Sequence, residues 1–308
     1  IPTYNRIDNL KRALESALGQ TGIEKTDFEI IIVDDDSADH TKDEVRKFIA
    51  AHGKDRRIVY SRLAKNSGPQ IARNFGIINA RGSYIAFTDD DCAVPTDWLA
   101  NFAVAFRKYP DIAGVGGWKN ISRSENNKTV DVYERFLFWK KYPYMQREWK
   151  STTLDTFNQC GDTANVCYRR ATLLELEGFN PFLRRFSHWE LKVRMHKNRH
   201  ALLYHLHHVK HFSEKNFKIF IYTWLQAGFG FFLINTLHPE FDLYKSSLKD
   251  AIARIRRSTN HLRKTSNLPF MRKNDRFIFF FLVIINQISI FIIMIIKYQD
   301  LLHQLLVG

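Results

Sequence analysis

The sequence predicts an α/β fold in which a mixed, mostly parallel sheet is flanked by helices. Three short apolar stretches, residues 28–33, 58–62 and 84–88, have the length and composition of buried strands. Segments with helical spacing of apolar residues separate them, and this alternation is typical of parallel sheets covered on both faces. The 308 residues, of which 45% are hydrophobic, are enough to bury a substantial core.

The other elements follow from local patterns in chain order. Residues 1–3 have the pattern of a strand end, and Asp8 is expected to cap the helix that follows. We predict helices over 8–18, 41–49, 71–79 and 96–109, and further strands over 114–118 and 201–211. Histidines alternate along the last of these strands, which indicates a partly exposed face.

Two of the predicted strands end in three consecutive aspartates, residues 34–36 and 89–91. Ligands of open α/β sheets bind at the carboxyl ends of the strands, so both clusters are expected at one crevice. Asp89 and Asp91 lie two apart and point the same way in an extended chain. Adjacent carboxylates repel one another unless a cation lies among them. The pattern therefore favours a site for a metal and a nucleotide; a solvated acidic turn is the alternative.

The net charge indicates the classes of partner, and the cysteines indicate the redox compartment. A net charge of +14 favours polyanionic partners such as phosphates or an anionic membrane. The basic residues cluster beside an apolar segment and form no recognised nucleic-acid motif, so we expect no nucleic-acid partner. Cys92, Cys160 and Cys167 form no CxxC pair, which indicates reduced thiols in a cytosolic setting.

Four motifs occur in the order and spacing of one enzyme family: IPTYNR, IIVDDDS, NSGPQIARNFG and YIAFTDDDC. Together they resemble the nucleotide-binding half of the family 2 glycosyltransferases of the GT-A fold, strongly over residues 1–115 and more loosely over 160–212. The resemblance implies a nucleotide-sugar donor (UDP by default), a divalent Mn²⁺ or Mg²⁺ ion, and inversion at the anomeric carbon. It divides residues 1–212 of the catalytic domain into a nucleotide-binding half, 1–115, and an acceptor half, 116–212.

The resemblance also implies residue roles. The residues that correspond to family positions at the nucleotide are Pro2, Thr3, Tyr4, Asn5, Asp34, Asp35, Asn66, Gly68, Arg73, Asp89 and Asp90. Asp89 and Asp91 correspond to the D-x-D acids, of which Asp91 is expected to hold the metal and Asp89 the ribose or the metal. His211, or alternatively His208, would complete the metal shell. Asp36 stands where the family usually has glycine.

The catalytic base is less clearly marked. The family usually has an acidic pair followed by x-E/D-L-x-x-R, and this chain has SHWELKVR at 187–194. Aligning Leu191 and Arg194 puts Glu190 on the later acid and His188 within the pair, whereas a shifted register puts Glu190 on the pair itself. Transfer needs one base within reach of the acceptor hydroxyl. Glu190 is the first choice and His188 the second; a site without a base would make the chain a catalytically impaired, donor-binding partner subunit.

The last part of the chain, 213–308, is predicted to be a helical membrane-associated extension. Residues 217–233 are apolar and aromatic, 251–276 are strongly basic, and 277–296 carry no charge over a length that can span a bilayer. A basic run beside an apolar one suits an anionic cytoplasmic leaflet. We therefore expect a catalytic domain at the cytoplasmic face of the membrane and a lipid-linked or surface-glycan acceptor. An interfacial helix or a homo-oligomer contact through these helices is the alternative to a span.

Overall fold

The computed structural model describes residues 1–54, 57–121, 149–151, 161–183, 185–205 and 207–212, with short stretches beyond them at 233–234, 236–239, 252, 255–260, 279–280 and 283. The chain divides into two compact units. The first comprises Ile1–Ser122 and Lys141–Ser213, and the second comprises Arg123–Lys140 and Glu214–Gly308. Every predicted site residue belongs to the first unit.

The first unit begins with an alternation of strands and helices. Its elements are β1 (Pro2–Thr3), α1 (Ile7–Leu18), β2 (Ile30–Asp34), α2 (Thr41–His52) and β3 (Ile58–Arg62). The three strands form a fully parallel sheet in the order β1-β2-β3. Leu10 and Leu14 of α1 pack with Ile32 and Val45 in the core of this part because the helical spacing puts them on one face.

The elements that follow build two further sheets. They are α3 (Pro69–Asn79), β4 (Tyr84–Phe87), β5 (Cys92–Ala93), α4 (Trp98–Lys108), β6 (Ile112–Gly116), β7 (Lys119–Ile121), β8 (Trp149–Ser151), β9 (Val166–Arg169), α5 (Arg170–Glu175), α6 (Ser187–Lys197), β10 (Ala201–Tyr204) and β11 (Val209–His211). The strand orders are β4-β9-β6-β10-β8 and β5-β11-β7. The α/β class predicted from the sequence is thus confirmed.

Strands of both directions occur, as the prediction of a mixed sheet requires, but the prediction of one mostly parallel sheet is wrong in two respects. The acid-terminated strands β2 and β4 lie in different hydrogen-bonded sheets. In addition, β9 lies antiparallel between β4 and β6, so only the first sheet is wholly parallel. Strand β9 was not among the strands predicted from the sequence. Local apolar patterns identify a strand but carry no information on its direction.

The predicted strand over 201–211 is two strands that join different sheets. The break at 205–208 lies beside a second break at residues 117–118, between β6 and β7. The buried side chain of Asn165 connects the two breaks, because its amide donates 2.9 Å hydrogen bonds to the carbonyls of Trp118 and His207. Its carbonyl oxygen accepts a 2.8 Å bond from Trp98 Nε1, which ties α4 to the same point. These bonds turn β11 away from β10 and towards β5.

Helix starts differ slightly from the prediction. Helix α1 begins at Ile7, with Arg6 before it, and Asp8 lies in its first turn rather than at the cap. Helix α3 begins at Pro69, which suits the first position of a helix because that position needs no N–H donor. None of the helices in the described part of the chain is long and apolar enough to cross a membrane. Most of the predicted segments 217–233, 251–276 and 277–296 falls outside the described residues.

Candidate functional site

The end of β1 meets the second acidic cluster. Thr3 Oγ1 donates a 2.9 Å hydrogen bond to Asp90 Oδ2, although β1 and β4 belong to different sheets. Asp90 is 6% exposed. Burial raises the pKa of its carboxyl to about 6, even though Arg6 and the Thr3 hydroxyl favour the charged form. The structure thus places Thr3, which the resemblance assigns to the nucleotide, against the second acidic cluster.

The first acidic cluster holds the loops around this crevice. Asp34 is fully buried; its Oδ1 accepts a bond from Ser37 N at 2.8 Å and its Oδ2 accepts one from Tyr60 Oη at 2.6 Å. Asp35 accepts bonds from the backbone N–H groups of Ser67 at 2.7 Å and Gly68 at 2.8 Å. The two acids therefore fix the loops at 35–37 and 66–68 against each other. Their predicted contacts with base and ribose stay a prediction.

The loop that follows β1 is held in the same way. Asn5 has a positive φ of 51°, its N–H donates to Ser37 Oγ at 2.8 Å, and its Oδ1 accepts a 2.7 Å bond from Ala38 N. Pro2 lies in β1, and Tyr4 is 44% exposed. Asp36, which replaces the family glycine, adopts a left-handed φ of 69°. Aspartate tolerates this conformation better than most side chains, so the turn forms without glycine.

Arg73 and Asp89 form an ion pair inside the site. Arg73 NH2 donates to Asp89 Oδ1 at 2.7 Å, and the arginine side chain is only 7% exposed. Its Nε is buried and has no hydrogen-bond partner among the described residues. Asn66 reaches the same region through a 3.3 Å bond to the carbonyl of Asp35. A buried guanidinium with a spare N–H is suited to an anionic ligand.

Asp91 stands among a different group of side chains. Its Oδ1 lies 3.6 Å from His211 Nε2 and 3.6 Å from Cys92 Sγ. Burial would raise the pKa of its carboxyl, but His211, Lys119 and Arg6 together hold that pKa well below the usual range. Asp91 and His211, both predicted as metal ligands, are therefore adjacent, and Cys92 joins them.

The remaining metal candidates are placed elsewhere. Asp89 faces Arg73 rather than the group around Asp91, and His208 is not a member of that group. A carboxylate, an imidazole and a thiol within 4.8 Å of one another can hold a divalent cation. His211 is 4% exposed, its Nε2 is the ring atom nearest Asp91, and its Nδ1 has no hydrogen-bond partner among the described residues.

Sequence reasoning missed Arg6. Its guanidinium contacts Asp90 Oδ1 and Asp91 Oδ2, both at 3.2 Å, and its side chain is 52% exposed. It lies more than eighty positions before the acids in sequence. An arginine in a polar turn gives no local signal of such a contact. The Lys119–Asp162 ion pair at 3.1 Å was missed for the same reason.

The two candidates for the catalytic base have different surroundings. Glu190 is 3% exposed and binds Arg194 through both oxygens at 2.7 Å. The same guanidinium donates to the carbonyls of Leu176 and Gly178. Glu190 thus orients Arg194, which fixes helix α6 to the loop after α5. This placement suits the alignment that puts Glu190 on the later acid of the motif.

His188 lies half-buried in the first turn of α6, next to Ser187, whose Oγ accepts a 2.8 Å bond from Gln70 Nε2. Four positions on, Lys192 Nζ donates a 2.5 Å bond to the carbonyl of Gly161. Residues four apart share a helix face, so His188 faces the segment that contains Asp162. Burial would raise the pKa of Asp162, but Lys119 and then His188 lower it.

Replacing Glu190 by glutamine is expected to lower the free energy of unfolding by about 2–4 kcal/mol, because Arg194 would lose its charged partner in a mostly buried pair. Urea denaturation followed by circular dichroism measures this change. Glu175→Gln is the matched control: Glu175 is 54% exposed and lies 3.3 Å from His200. The control is expected to change the free energy by less than about 0.5 kcal/mol. Equal stability of the two variants would contradict the role given to Glu190.

The comparisons with known proteins agree with this architecture. The glycosyltransferase AglE of Haloferax volcanii is 33% identical over 136 residues, which cover 44% of this chain and 43% of AglE. The chain spans less than half of the length of the curated relatives that it matches.

Solved structures match over nearly the whole chain. The mannosyltransferase PcManGT of Pyrobaculum calidifontis, in complex with GDP-Man and Mn²⁺, has a TM-score of 0.64 at 16% identity and covers 96% of this chain and 85% of its own. TarS 1–349 of S. aureus, in complex with UDP-GlcNAc, has a TM-score of 0.55 at 15% identity, with coverage of 97% and 90%. At such identities the likeness establishes the fold.

The family itself is established by a match to a sequence model. The model described as glycosyl transferase family 2 matches residues 1–171, which is more than half of the 308 residues. The match takes in both acidic clusters, Arg73, Cys92 and Asp162. This chain belongs to glycosyl transferase family 2.

Proposed function

We propose that the chain is an inverting transferase that moves a sugar from a nucleotide-diphosphate donor to a hydroxyl of a lipid-linked or surface glycan. The observation that carries this proposal is the convergence of the end of β1, the buried Arg73 and the aspartates at 89–91 in a family 2 chain. The neighbours bound to GDP-Man or UDP-GlcNAc support a nucleotide-sugar donor. UDP is our first choice of nucleotide.

The chemistry proposed is a single displacement. The acceptor oxygen forms a bond to the anomeric carbon as the bond from that carbon to the donor phosphate breaks, which inverts the configuration. The acceptor proton passes to a base, and the nucleoside diphosphate leaves with the bonding electrons. A divalent cation, when bound, would neutralise the charge of the departing diphosphate. Arg73 and Arg6 would add positive charge on the same side of the site.

We assign the base to His188. The sequence favoured Glu190, but both oxygens of that buried carboxylate are engaged by Arg194. A neutral imidazole can take the acceptor proton, and the nearby carboxylate of Asp162 would stabilise the imidazolium that forms. His188 would thus act as the general base, a role that a carboxylate usually has in the family.

A panel of nucleotide sugars tests the proposal, with Mn²⁺, Mg²⁺ or EDTA and with binding and slow donor hydrolysis both measured. We expect metal-dependent hydrolysis of one donor, because water can replace the acceptor at a slow rate. Failure to bind any donor would overturn the proposal. Metal-dependent binding without turnover of any donor, in the presence of glycan acceptors, would favour the second candidate, a donor-binding partner subunit. That candidate is prompted by the absence of the usual acidic pair at Ser187 and His188.

We also propose that the chain works at the cytoplasmic face of a membrane. The basic run at 251–276 and the uncharged run at 277–296 support this, since each basic residue near an anionic surface contributes about 1 kcal/mol. Vesicle flotation tests it: the protein is expected to float with vesicles containing phosphatidylglycerol in moderate salt. Equal recovery with and without vesicles would contradict the membrane role.

A further inference from the structure

The ion pair of Lys119 and Asp162 begins on the face of the β5-β11-β7 sheet that carries His211. Lys119 pairs with Val209 across β7 and β11. Val209 and His211 lie two apart in β11, and both are buried. Paired residues of neighbouring strands project from the same face of a sheet, and so do residues two apart in one strand. Lys119 therefore shares a face with His211, which lies about 6.6 Å further along the strand direction.

The segment at 161–162 connects this face to the helix that carries His188. Asp162 Oδ2 lies 3.1 Å from Lys119 Nζ, and the carbonyl of the preceding Gly161 accepts a 2.5 Å bond from Lys192 Nζ. Lys192 is four positions after His188 in α6, so the two share a helix face. One end of the segment is thus bonded to β7 and the other to α6. The ion pair lies between the strand next to the predicted metal ligands and the helix of the predicted base.

Under the proposed function, the transferred sugar has to occupy the same interval. Its anomeric carbon is bonded to the diphosphate, whose charge the cation would neutralise. The same carbon is attacked by the acceptor oxygen, whose proton passes to the base. The sugar ring therefore extends between the side of the metal ligands and the side of the base, where Lys119 and Asp162 lie.

The ion pair is mostly buried and still accessible. The side chains of Lys119 and Asp162 are 24% and 21% exposed. An ammonium has three N–H donors, and a carboxylate has about four acceptor sites. The contacts with described residues use one of these donors and two of these acceptor sites, the second for the Ala164 N–H at 3.0 Å. The pair can therefore donate to one sugar hydroxyl and accept from the neighbouring one.

The charges of the pair also bear on which sugar can bind. Burial would lower the pKa of Lys119, but the contact with Asp162 is the strongest of the effects that raise it, so the ammonium stays charged. The carboxylate of Asp162 already neutralises this ammonium. A sugar that carries its own carboxylate would meet a like charge at Asp162, and like charges at close range are strongly unfavourable.

We propose that Lys119 and Asp162 bind adjacent hydroxyls of the transferred sugar and select a neutral hexose over a uronic acid. The inference rests on the proposed function and deepens it, because it names the class of sugar and two residues that recognise it. Polar groups placed to bind a substrate hydroxyl discriminate strongly between substrates, since a wrong one leaves them without partners.

The affinities of the full chain for four kinds of ligand test the inference in the presence of Mn²⁺. The ligands are UDP, the neutral donors UDP-glucose, UDP-galactose and UDP-GlcNAc, and UDP-glucuronate. If the donor panel selects guanosine, GDP, GDP-mannose and GDP-mannuronate take their place. We expect the wild-type protein to bind its best neutral donor at least about 10-fold more tightly than the uronate donor.

Two variants with opposite changes of charge sharpen the test. Asp162→Asn keeps an acceptor for the Ala164 N–H and leaves the Lys119 charge unpaired. It is expected to bind the neutral donor about 10–100-fold more weakly, to bind UDP within about 3-fold of wild type, and to lose its preference against the uronate. Lys119→Gln leaves the carboxylate instead, so it should strengthen that preference. Glu44→Gln, at an exposed ion pair with Lys47, is the matched control and should change none of these affinities.

Three results would overturn the inference. The first is a wild-type protein that binds the uronate donor best, which needs no variant and so does not depend on how well the variants fold. The second is an unchanged affinity of Asp162→Asn for the neutral donor. The third is an equal loss of affinity for UDP and for the neutral donor in that variant, which would mean that Asp162 supports the nucleotide site alone. Each of these leaves the proposed function standing, whereas failure to bind any nucleotide sugar would overturn both.

Discussion

Replacing Asp91 by asparagine is expected to abolish the metal-dependent part of donor binding, with a loss of affinity of about 100-fold or more. Asp91 Oδ1 lies 3.6 Å from both His211 Nε2 and Cys92 Sγ, and among the described residues Asp91 is the one carboxylate of this group. A cation that neutralises the diphosphate of the donor contributes several kcal/mol to donor binding. Each 1.4 kcal/mol corresponds to a factor of ten in affinity. Calorimetric titration of the donor with Mn²⁺ and with EDTA measures the difference.

Asp27→Asn is the control for this experiment, because Asp27 is an exposed aspartate outside the site. It should keep the full difference in affinity between the Mn²⁺ and EDTA titrations. Circular dichroism should report a folded Asp91→Asn protein, since Asp90 retains its bonds from Thr3 and Arg6. If Asp91→Asn retains the metal-dependent gain in affinity, the assignment of the metal to this side chain is wrong.

Replacing His188 by alanine is expected to lower kcat by about 10²–10⁴-fold while the donor affinity changes by less than about 3-fold, because removal of a general base affects the chemical step alone. Initial rates at saturating donor, together with direct binding of the donor, separate the two quantities. Glu190→Gln should retain most of the wild-type kcat at a temperature where it is folded, because its carboxylate is bound by Arg194.

His200→Ala is the matched histidine control; His200 pairs with Glu175 on the surface at 3.3 Å and should not affect kcat when replaced. The assignment of the base would be rejected if His188→Ala turned over at the wild-type rate. It would also be rejected if Glu190→Gln, while folded, lost rate by orders of magnitude. In that second case the carboxylate of Glu190 would have to break its hydrogen bonds with Arg194 during the reaction.

Local patterns predicted the helices and strands of the nucleotide-binding half well. Strand β2, predicted over 28–33, comprises Ile30–Asp34, and helix α2 begins at Thr41 as expected. Burial patterns and helix-start signals depend on neighbours in sequence. Strand β9 with its antiparallel direction, and the division of residues 201–211 into two strands, were not predicted. Both depend on contacts between distant segments, such as the bonds from Asn165 to Trp118 and His207.

The site shows the same limit. The aspartates and Arg73 could be identified from the sequence because they lie in motifs of the family. The side chains that contact the aspartates from outside these motif positions could not be identified in this way. Arg6 is bound to Asp90 and Asp91 across a long stretch of chain, and Cys92 gave only the signal of a reduced thiol. The choice between Glu190 and His188 required knowing where Arg194 points. Spatial neighbours of this kind are set by packing, which sequence spacing alone does not specify.

The pairing of Cys92 with His211 has a consequence for the order of events during synthesis. A nascent chain that has emerged only as far as the end of the family motif region, residue 171, contains Asp91 and Cys92 but not their imidazole partner. Such a fragment can offer a cation no more than two members of this group. The group of Asp91, Cys92 and His211 can therefore form only after β11 has left the ribosome and joined β5. Most of the first unit thus leaves the ribosome before these three side chains can meet.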